Sequence, residues 1–230
     1  MAEILMVITG ADHLTLTDGT EHRTGYWAEE FTAPYRAFVE AGHQVSVATP
    51  GGVRPTVDPV SLQPEFNGGP DGAAAVAAVL DSTAALRSPL ALADVDASRY
   101  AALFYVGGHG PLQDLAQDGD SARLLRTAQL TETPLGVVCH GVAALTATEE
   151  DGAWPFAGYR LTGFSAAEEK QTGLADRLPW LLEDRLVELG AEYSAAEPWT
   201  PHVVVDRGLH TGQNPASSAS LAEALLRTIG

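Results

Sequence analysis

Cysteine is nearly absent from this 230-residue chain: Cys139 is the only one. That excludes an intrachain disulfide and every multi-cysteine zinc or iron–sulfur centre. Positive charge is also scarce. Lys and Arg total 13 against 30 Asp and Glu, a formal net charge of −17. Such a chain repels phosphate backbones and anionic membranes, which argues against nucleic-acid and membrane partners. No apolar run approaches the roughly 18–20 residues that a bilayer span needs. The opening Met1–Gly10 is apolar but short, and it carries Glu3 where a signal peptide has Lys or Arg. It reads as a first β-strand, and the protein as cytoplasmic, with its thiol kept reduced. The seven histidines include no His-x-x-x-His pair, so nothing in the spacing asks for a metal, and no cofactor is expected.

What is present is ordinary globular material, 45% apolar and 19% charged. No linker or internal repeat interrupts it, and residues 1–230 read as one domain. Strand-like and helix-like segments alternate, the pattern of a mostly parallel sheet covered on both faces. Strands are predicted at Ile4–Thr9, Gln44–Thr49, Ala102–Val106, Leu135–Cys139 and Val203–Asp206. Arg207-Gly208 then makes a tight turn into Leu209–Thr211. Helices are predicted at Tyr26–Ala41, with Pro34 kinking or breaking it and Gly42 ending it, and at Ser121–Gln129, Trp180–Leu189 and Leu221–Thr228. Residues 11–25 and 50–72 are long for plain connections. Loops of that kind build sites at the strand ends of open α/β sheets.

The most informative segment is Leu135-Gly-Val-Val-Cys-His-Gly-Val-Ala-Ala-Leu145. An apolar strand runs into Cys139, a small turn follows, and an Ala/Leu helix begins at once. This is the context of a nucleophile elbow, with an exposed side chain and the next backbone N–H aimed at a developing oxyanion. A helix N-terminus also favours the thiolate. A buried, inert cysteine at a strand end would look the same locally. Tyr105-Val-Gly-Gly-His-Gly-Pro-Leu112 ends the preceding strand with Gly107, Gly108 and Gly110. Glycines there let backbone approach a ligand and leave N–H groups free for an anion, with His109 as a possible turn residue only. In a doubly wound sheet Gly107, Gly108 and Cys139 open on one crevice. Acids able to serve the thiol are Glu29 and Glu30, beside Tyr26, Trp27 and Phe31, and the later pair Glu168 and Glu169. Apolar surroundings would keep such a carboxyl protonated. Composition and spacing do not choose among the four.

Seven ordered blocks span nearly the whole chain: Thr24-Gly-Tyr-Trp-Ala-Glu-Glu30 with Pro34, Ala48-Thr-Pro-Gly-Gly52, Asp58-Pro59 with Ser61, Gly107-Gly-His-Gly110, Val138-Cys-His-Gly141, Leu161-Thr-Gly-Phe164, and Thr211-Gly-Gln-Asn-Pro-Ala-Ser217. Together they resemble the ThiJ/PfpI superfamily, and within it the small heat-inducible, glutathione-independent glyoxalases. The resemblance implies a flavodoxin-like α/β sandwich and a cofactor-free conversion of methylglyoxal, a small dicarbonyl, to lactate. It implies Cys139 as nucleophile, His140 beside it, Glu30 as the acid bonded to the thiol, and Glu169 (with Glu168 close by) as the acid that orients the histidine. The Gly108 and His140 N–H groups would form the oxyanion hole, with Gly107 and Trp27 lining the substrate site. It also implies a homodimer. The relatives' other roles, stress chaperone, deglycase or redox sensor, and a hydrolase or hydratase acting on another small electrophile, are the alternatives. Val142 departs from the proline many relatives carry there. Glutamine amidotransferases share the fold, but they have Gly where this chain has Val137 and use a His-x-Glu that neither His202 nor His210 begins.

Overall fold

The computed structural model describes residues 2–230, so Met1 of the predicted first strand lies outside the described residues. Seven strands form the central sheet, in the spatial order Val203–Asp206, Leu209–Gly212, Leu135–Val138, Ala102–Tyr105, Glu3–Val7, Gln44–Thr49 and Leu90–Ala91. All pair in parallel except Val203–Asp206, which folds back antiparallel on Leu209–Gly212. Arg207 (φ 50°) and Gly208 (φ 85°) make the predicted tight turn between those two. This is the mostly parallel sheet that the alternating pattern predicts and the flavodoxin-like α/β architecture that the resemblance implies.

The centre of the sheet is buried on both faces because apolar runs, not alternating ones, supply its strands. Ile4–Ile8, Ala102–Val106 and Leu135–Val138 all lie inside, though Gly136 contributes no side chain. Successive residues point to opposite faces. Phe104 meets Phe38 of the helix Ala28–Glu40, ring centroids 5.6 Å apart, while the Tyr105 hydroxyl meets Ser121 of the helix Gly119–Leu130. Helices therefore cover both sides.

Chain order reverses between Glu3–Val7 and Ala102–Tyr105. From the first strand the chain builds outward to Leu90–Ala91, then returns to the other side. The carboxyl ends of strands flanking such a switch open on a common crevice. Residues 107–109 and 139–140 both follow strands on that side.

Several predicted elements are corrected. The helix over Tyr26–Ala41 begins at Ala28 and runs unbroken through Pro34 to Glu40; what the proline removes is the one N–H its nitrogen would have offered to the Glu30 carbonyl. The elbow helix is a 3-10 helix over Cys139–Thr148, not α. Its carbonyls are taken by other donors: the Thr146 and Thr148 hydroxyls turn on Ala143 and Leu145 (2.7 and 2.6 Å), and the Trp154 indole N–H donates to Leu145 (2.8 Å). The long segment 11–25 holds a hairpin, His13–Thr15 with Glu21–Arg23. A helix over Pro70–Ser82 escaped the reading of 50–72 as loop. Its signature is Pro70 at the first helical position, followed by an alanine-rich run.

Candidate active site

Cys139 stands at the end of Leu135–Val138 with φ +56°, a conformation that costs an ordinary L-residue about 1 kcal/mol or more. Gly141 makes the elbow possible, because a Cβ there would press on the Tyr105 and Val106 carbonyls at 2.9 and 3.0 Å. The backbone N–H groups of His140 and Gly108 both point at the thiol. Gly108 (φ +97°) has to be glycine: a Cβ would collide with the Gly25 carbonyl and the Trp27 nitrogen.

The first half of the chain brings its acid through a stitched loop. Thr24 donates to Asp58 (2.8 Å), and the Tyr26 and Asp58 N–H groups bond to the Thr56 and Tyr26 carbonyls. The Ser61 hydroxyl oxygen accepts the Ala28 N–H (3.0 Å) at the start of the helix. Glu30, in that helix's first turn, is thereby held fully buried against Gly107 and the Cys139 thiol. Neither carboxyl oxygen has an aligned hydrogen-bond partner. Burial pushes its pKa up to about 8, only partly offset by the interaction with the thiol. Glu30 is therefore protonated at neutral pH.

On the other side, His140 Nδ1 lies 3.6 Å from Cys139 Sγ, and His140 Nε2 is 2.6 Å from Glu169 Oε2. Burial drives the His140 pKa down, and the neighbouring His109 adds to the fall. Burial would raise the Glu169 carboxyl, but the charge attraction of His140 and the hydrogen bonds from His109 and His140 outweigh it, and the net shift is downward. Ionised Glu169 accepting from Nε2–H fixes the neutral imidazole so that Nδ1 presents a lone pair to the sulfur. Glu168, one residue earlier, points elsewhere: it closes a capping box with Ser165 and accepts from Gln213 and Asn214.

Two expectations about the thiol fail. Cys139 is buried, only 3% exposed, not held out in the open. Its pKa is pushed well up rather than down, first by burial and then by the nearby Glu30 carboxyl, while the two backbone N–H groups offset only part of this. The 3-10 turn at Cys139 is no substitute for an α-helical N-terminus whose field would favour thiolate.

The thiol lies on the floor of a cavity of about 400 Å³ that Trp27, Gly108, His109, His140 and Phe164 help to line. A wider hollow of about 530 Å³ between Leu14, Gln113 and Trp180 is lined by no cysteine, serine or histidine. A sequence profile of the DJ-1/PfpI family matches residues 23–228. The chain belongs to the DJ-1/PfpI family. It is 43% identical over 147 residues, 64% of this chain and 67% of the relative, to human "glutamine amidotransferase-like class 1 domain-containing protein 1". It is 30% identical, over 99% of its length and 80% of the relative, to the protein/nucleic acid deglycase HchA of Pseudomonas aeruginosa. The crystal structure of glyoxalase III from Candida albicans superposes with a TM-score of 0.83 at 25% identity, covering 98% of this chain and 96% of that one.

In this DJ-1/PfpI chain, His109 takes a place that its reading as a turn residue did not give it. Its Nε2 lies 2.9 Å from Glu169 Oε1, and its ring lies tilted against His140 with centroids 4.2 Å apart. His22 meets it edge-on from the hairpin. The Thr172 hydroxyl, 2.8 Å from the same Oε1, completes the shell around Glu169. Sequence spacing hid this cluster, since residues 109, 140 and 169 meet only through the sheet. His109, His140 and Glu169 offer ligand atoms within 4.8 Å of one another, the one such group of metal-ligand types among the described residues. Their nitrogens and oxygens already face each other in hydrogen bonds. No helix among the described residues is long and apolar enough to cross a membrane.

Proposed function

We propose that the protein is a cofactor-independent glyoxalase that converts methylglyoxal and water to lactate. The observation that carries this is the pairing on either side of Cys139: a neutral imidazole with Nδ1 at 3.6 Å, tied to an ionised Glu169, and a protonated Glu30 opposite. Because burial holds the thiol pKa high, little thiolate stands at neutral pH and attack is coupled to loss of the thiol proton. Sγ attacks the aldehyde carbon while its proton passes to His140 Nδ1, and Glu169 balances the imidazolium. The Gly108 and His140 N–H groups stabilise the alkoxide of the resulting hemithioacetal. His140 returns the thiol proton to that alkoxide. Neutral again, it takes the former aldehyde hydrogen as a proton and delivers it to the ketone carbon, while the hydroxyl proton passes to the ketone oxygen, leaving a thioester. Protonated Glu30 serves as donor, not base. Water hydrolyses it, releasing lactate and restoring the thiol.

The similarity to a glyoxalase III structure supports the same reading. Glutamine hydrolysis is not favoured, because the late histidines do not serve the thiol. His210 bonds to the Gly208 carbonyl and Thr228, and His202 to Ser194. A redox-sensor role is disfavoured by a buried thiol whose pKa lies high, since oxidation follows thiolate character and access. Lactate formation from methylglyoxal by the purified protein, abolished in Cys139→Ser, is the expected result. Absence of turnover in the wild type, or its persistence in the serine variant, overturns the proposal.

A further inference from the structure

The cavity above Cys139 is larger and more aromatic than methylglyoxal requires. That substrate has five non-hydrogen atoms, whereas sites of about 400 Å³ accommodate considerably larger ligands. Trp27, Phe66, Phe164, Leu174, Trp199 and Val60 supply its apolar lining. Three of these are exposed large hydrophobics, Val60 (42%), Phe66 (43%) and Trp199 (43%), gathered where the one cysteine lies. No Lys or Arg lines the cavity, and the Asp58 carboxyl is occupied by the Thr24 hydroxyl and the Val60 N–H. An anionic substituent would find no cation there. A planar apolar one would find ring faces and edges.

Trp199 is not a casual surface residue. Its φ is +64°, a strained value for a large side chain. The buried Glu168 carboxylate holds it there, accepting the Trp199 N–H at 2.9 Å. The same carboxylate accepts from Ser165 and from the adjacent Gln213 and Asn214, so it is anchored from two further segments. The indole N–H donates to Gln171 (2.6 Å), and the ring stands edge-on to Phe164, centroids 5.6 Å apart. Phe164 in turn packs on His140 at 4.4 Å. A buried polar network thus spends its hydrogen bonds on placing one exposed indole beside the reacting centre.

We propose that the preferred substrates are 2-oxoaldehydes with an aryl group on the ketone carbon, and that Trp199, seated by Glu168, selects them. This rests on the glyoxalase reading above. The chemistry balances without an added oxidant. Sγ bonds to the aldehyde carbon, and the hydrogen on that carbon moves as a proton to the ketone carbon. The first carbon rises to the carboxylate level, and the second falls from ketone to alcohol. Water then breaks the C–S bond, giving an aryl 2-hydroxy acid and a proton.

The test compares kcat/KM for phenylglyoxal and methylglyoxal, with mandelate and lactate measured as products, in wild type, Trp199→Ala, Trp199→Phe and Phe66→Ala. Calorimetry on the same proteins compares acetophenone with acetone, ketones that bind without reacting. The wild type should favour phenylglyoxal by about tenfold or more, the scale that apolar pocket contacts discriminate. The ratio should fall about tenfold in Trp199→Ala, fall in Phe66→Ala, and largely survive in Trp199→Phe. Acetophenone binding should exceed acetone binding and weaken in Trp199→Ala. Methylglyoxal turnover without aryl preference, or a ratio unchanged in Trp199→Ala, overturns this proposal and leaves the glyoxalase reading standing. No turnover of either aldehyde, with selective acetophenone binding lost in Trp199→Ala, keeps the aryl site and overturns the glyoxalase reading. Neither turnover nor selective binding overturns both.

Discussion

Replacing Glu30 by Gln should change how stability depends on pH, and the size of the change follows from its burial. In the folded protein the carboxyl holds its proton up to about pH 8, whereas in the unfolded chain it ionises near 4.5. Between those values the folded state binds one proton more than the unfolded state. The slope of unfolding free energy with pH is therefore negative, about −1.4 kcal/mol per unit. Stability from this group is fully present below pH 4.5 and is lost as pH rises, by about 5 kcal/mol once pH passes 8. Gln cannot ionise, so the variant should lack that slope. Any cost of burying an amide without partners, about 1–3 kcal/mol, is the same at every pH and cancels from the slope. Urea denaturation midpoints and m-values for both proteins at pH 5, 6.5 and 8 are the measurement. Glu169 and the histidines titrate alike in both, so the difference curve isolates Glu30. The variant should gain on the wild type by several kcal/mol from pH 5 to 8 while losing turnover. Parallel curves would mean that Glu30 is ionised in the folded protein, and its role as acid beside Cys139 would fall.

The alkylation rate of native Cys139 by iodoacetamide should still be climbing above pH 9, where an ordinary thiol is levelling off; a plateau below pH 9 contradicts the burial-raised pKa. Glu169→Gln no longer fixes the His140 tautomer and should lower kcat by about 10⁴-fold. It should also lower the thermal midpoint at neutral pH, because a carboxylate held below its usual range contributes stability there that Gln lacks. A kcat within tenfold of wild type would remove Glu169 from the mechanism. Gly108→Ala should destabilise by about 3 kcal/mol or more, since the new Cβ meets the Gly25 carbonyl at a positive φ. An unchanged melting temperature would show that the 25–27 backbone can yield.

The fold was largely legible because its strands announce themselves. Ile4–Ile8, Ala102–Val106 and Leu135–Val138 are continuous apolar runs, which only a sheet buried on both faces accommodates. Glycine spacing carried the elbow and the Gly107-Gly108 approach. Helix starts were less readable. Tyr26 and Trp27 have helix-compatible chemistry, yet their N–H groups are bonded to Thr56 and Gly107, a tertiary fact. Neighbouring acids were separable only in three dimensions. Glu168 and Glu169 differ by about 100° around one helix, and that rotation sends one to Ser165 and Asn214 and the other to His140 and His109. The thiol's high pKa was invisible for the same reason. The local turn argues for a thiolate, and only the packing of Glu30 and Gly107 against Cys139 reveals how the sulfur is buried.

Cys139 is the single thiol of the chain, and the groups that pack against it or line the cavity beside it come from residues 30, 107–108, 140 and 164. Any partly folded form lacking one of those segments leaves the sulfur in water, with an ordinary thiol's reactivity. The native protein therefore carries its own clock for folding. Loss of reactivity toward a thiol reagent would mark the moment when the two halves of the chain meet, without a label, an engineered cysteine or an activity measurement. Because the protecting segments span more than half the sequence, that signal would report closure of the whole crevice rather than the forming of any one element.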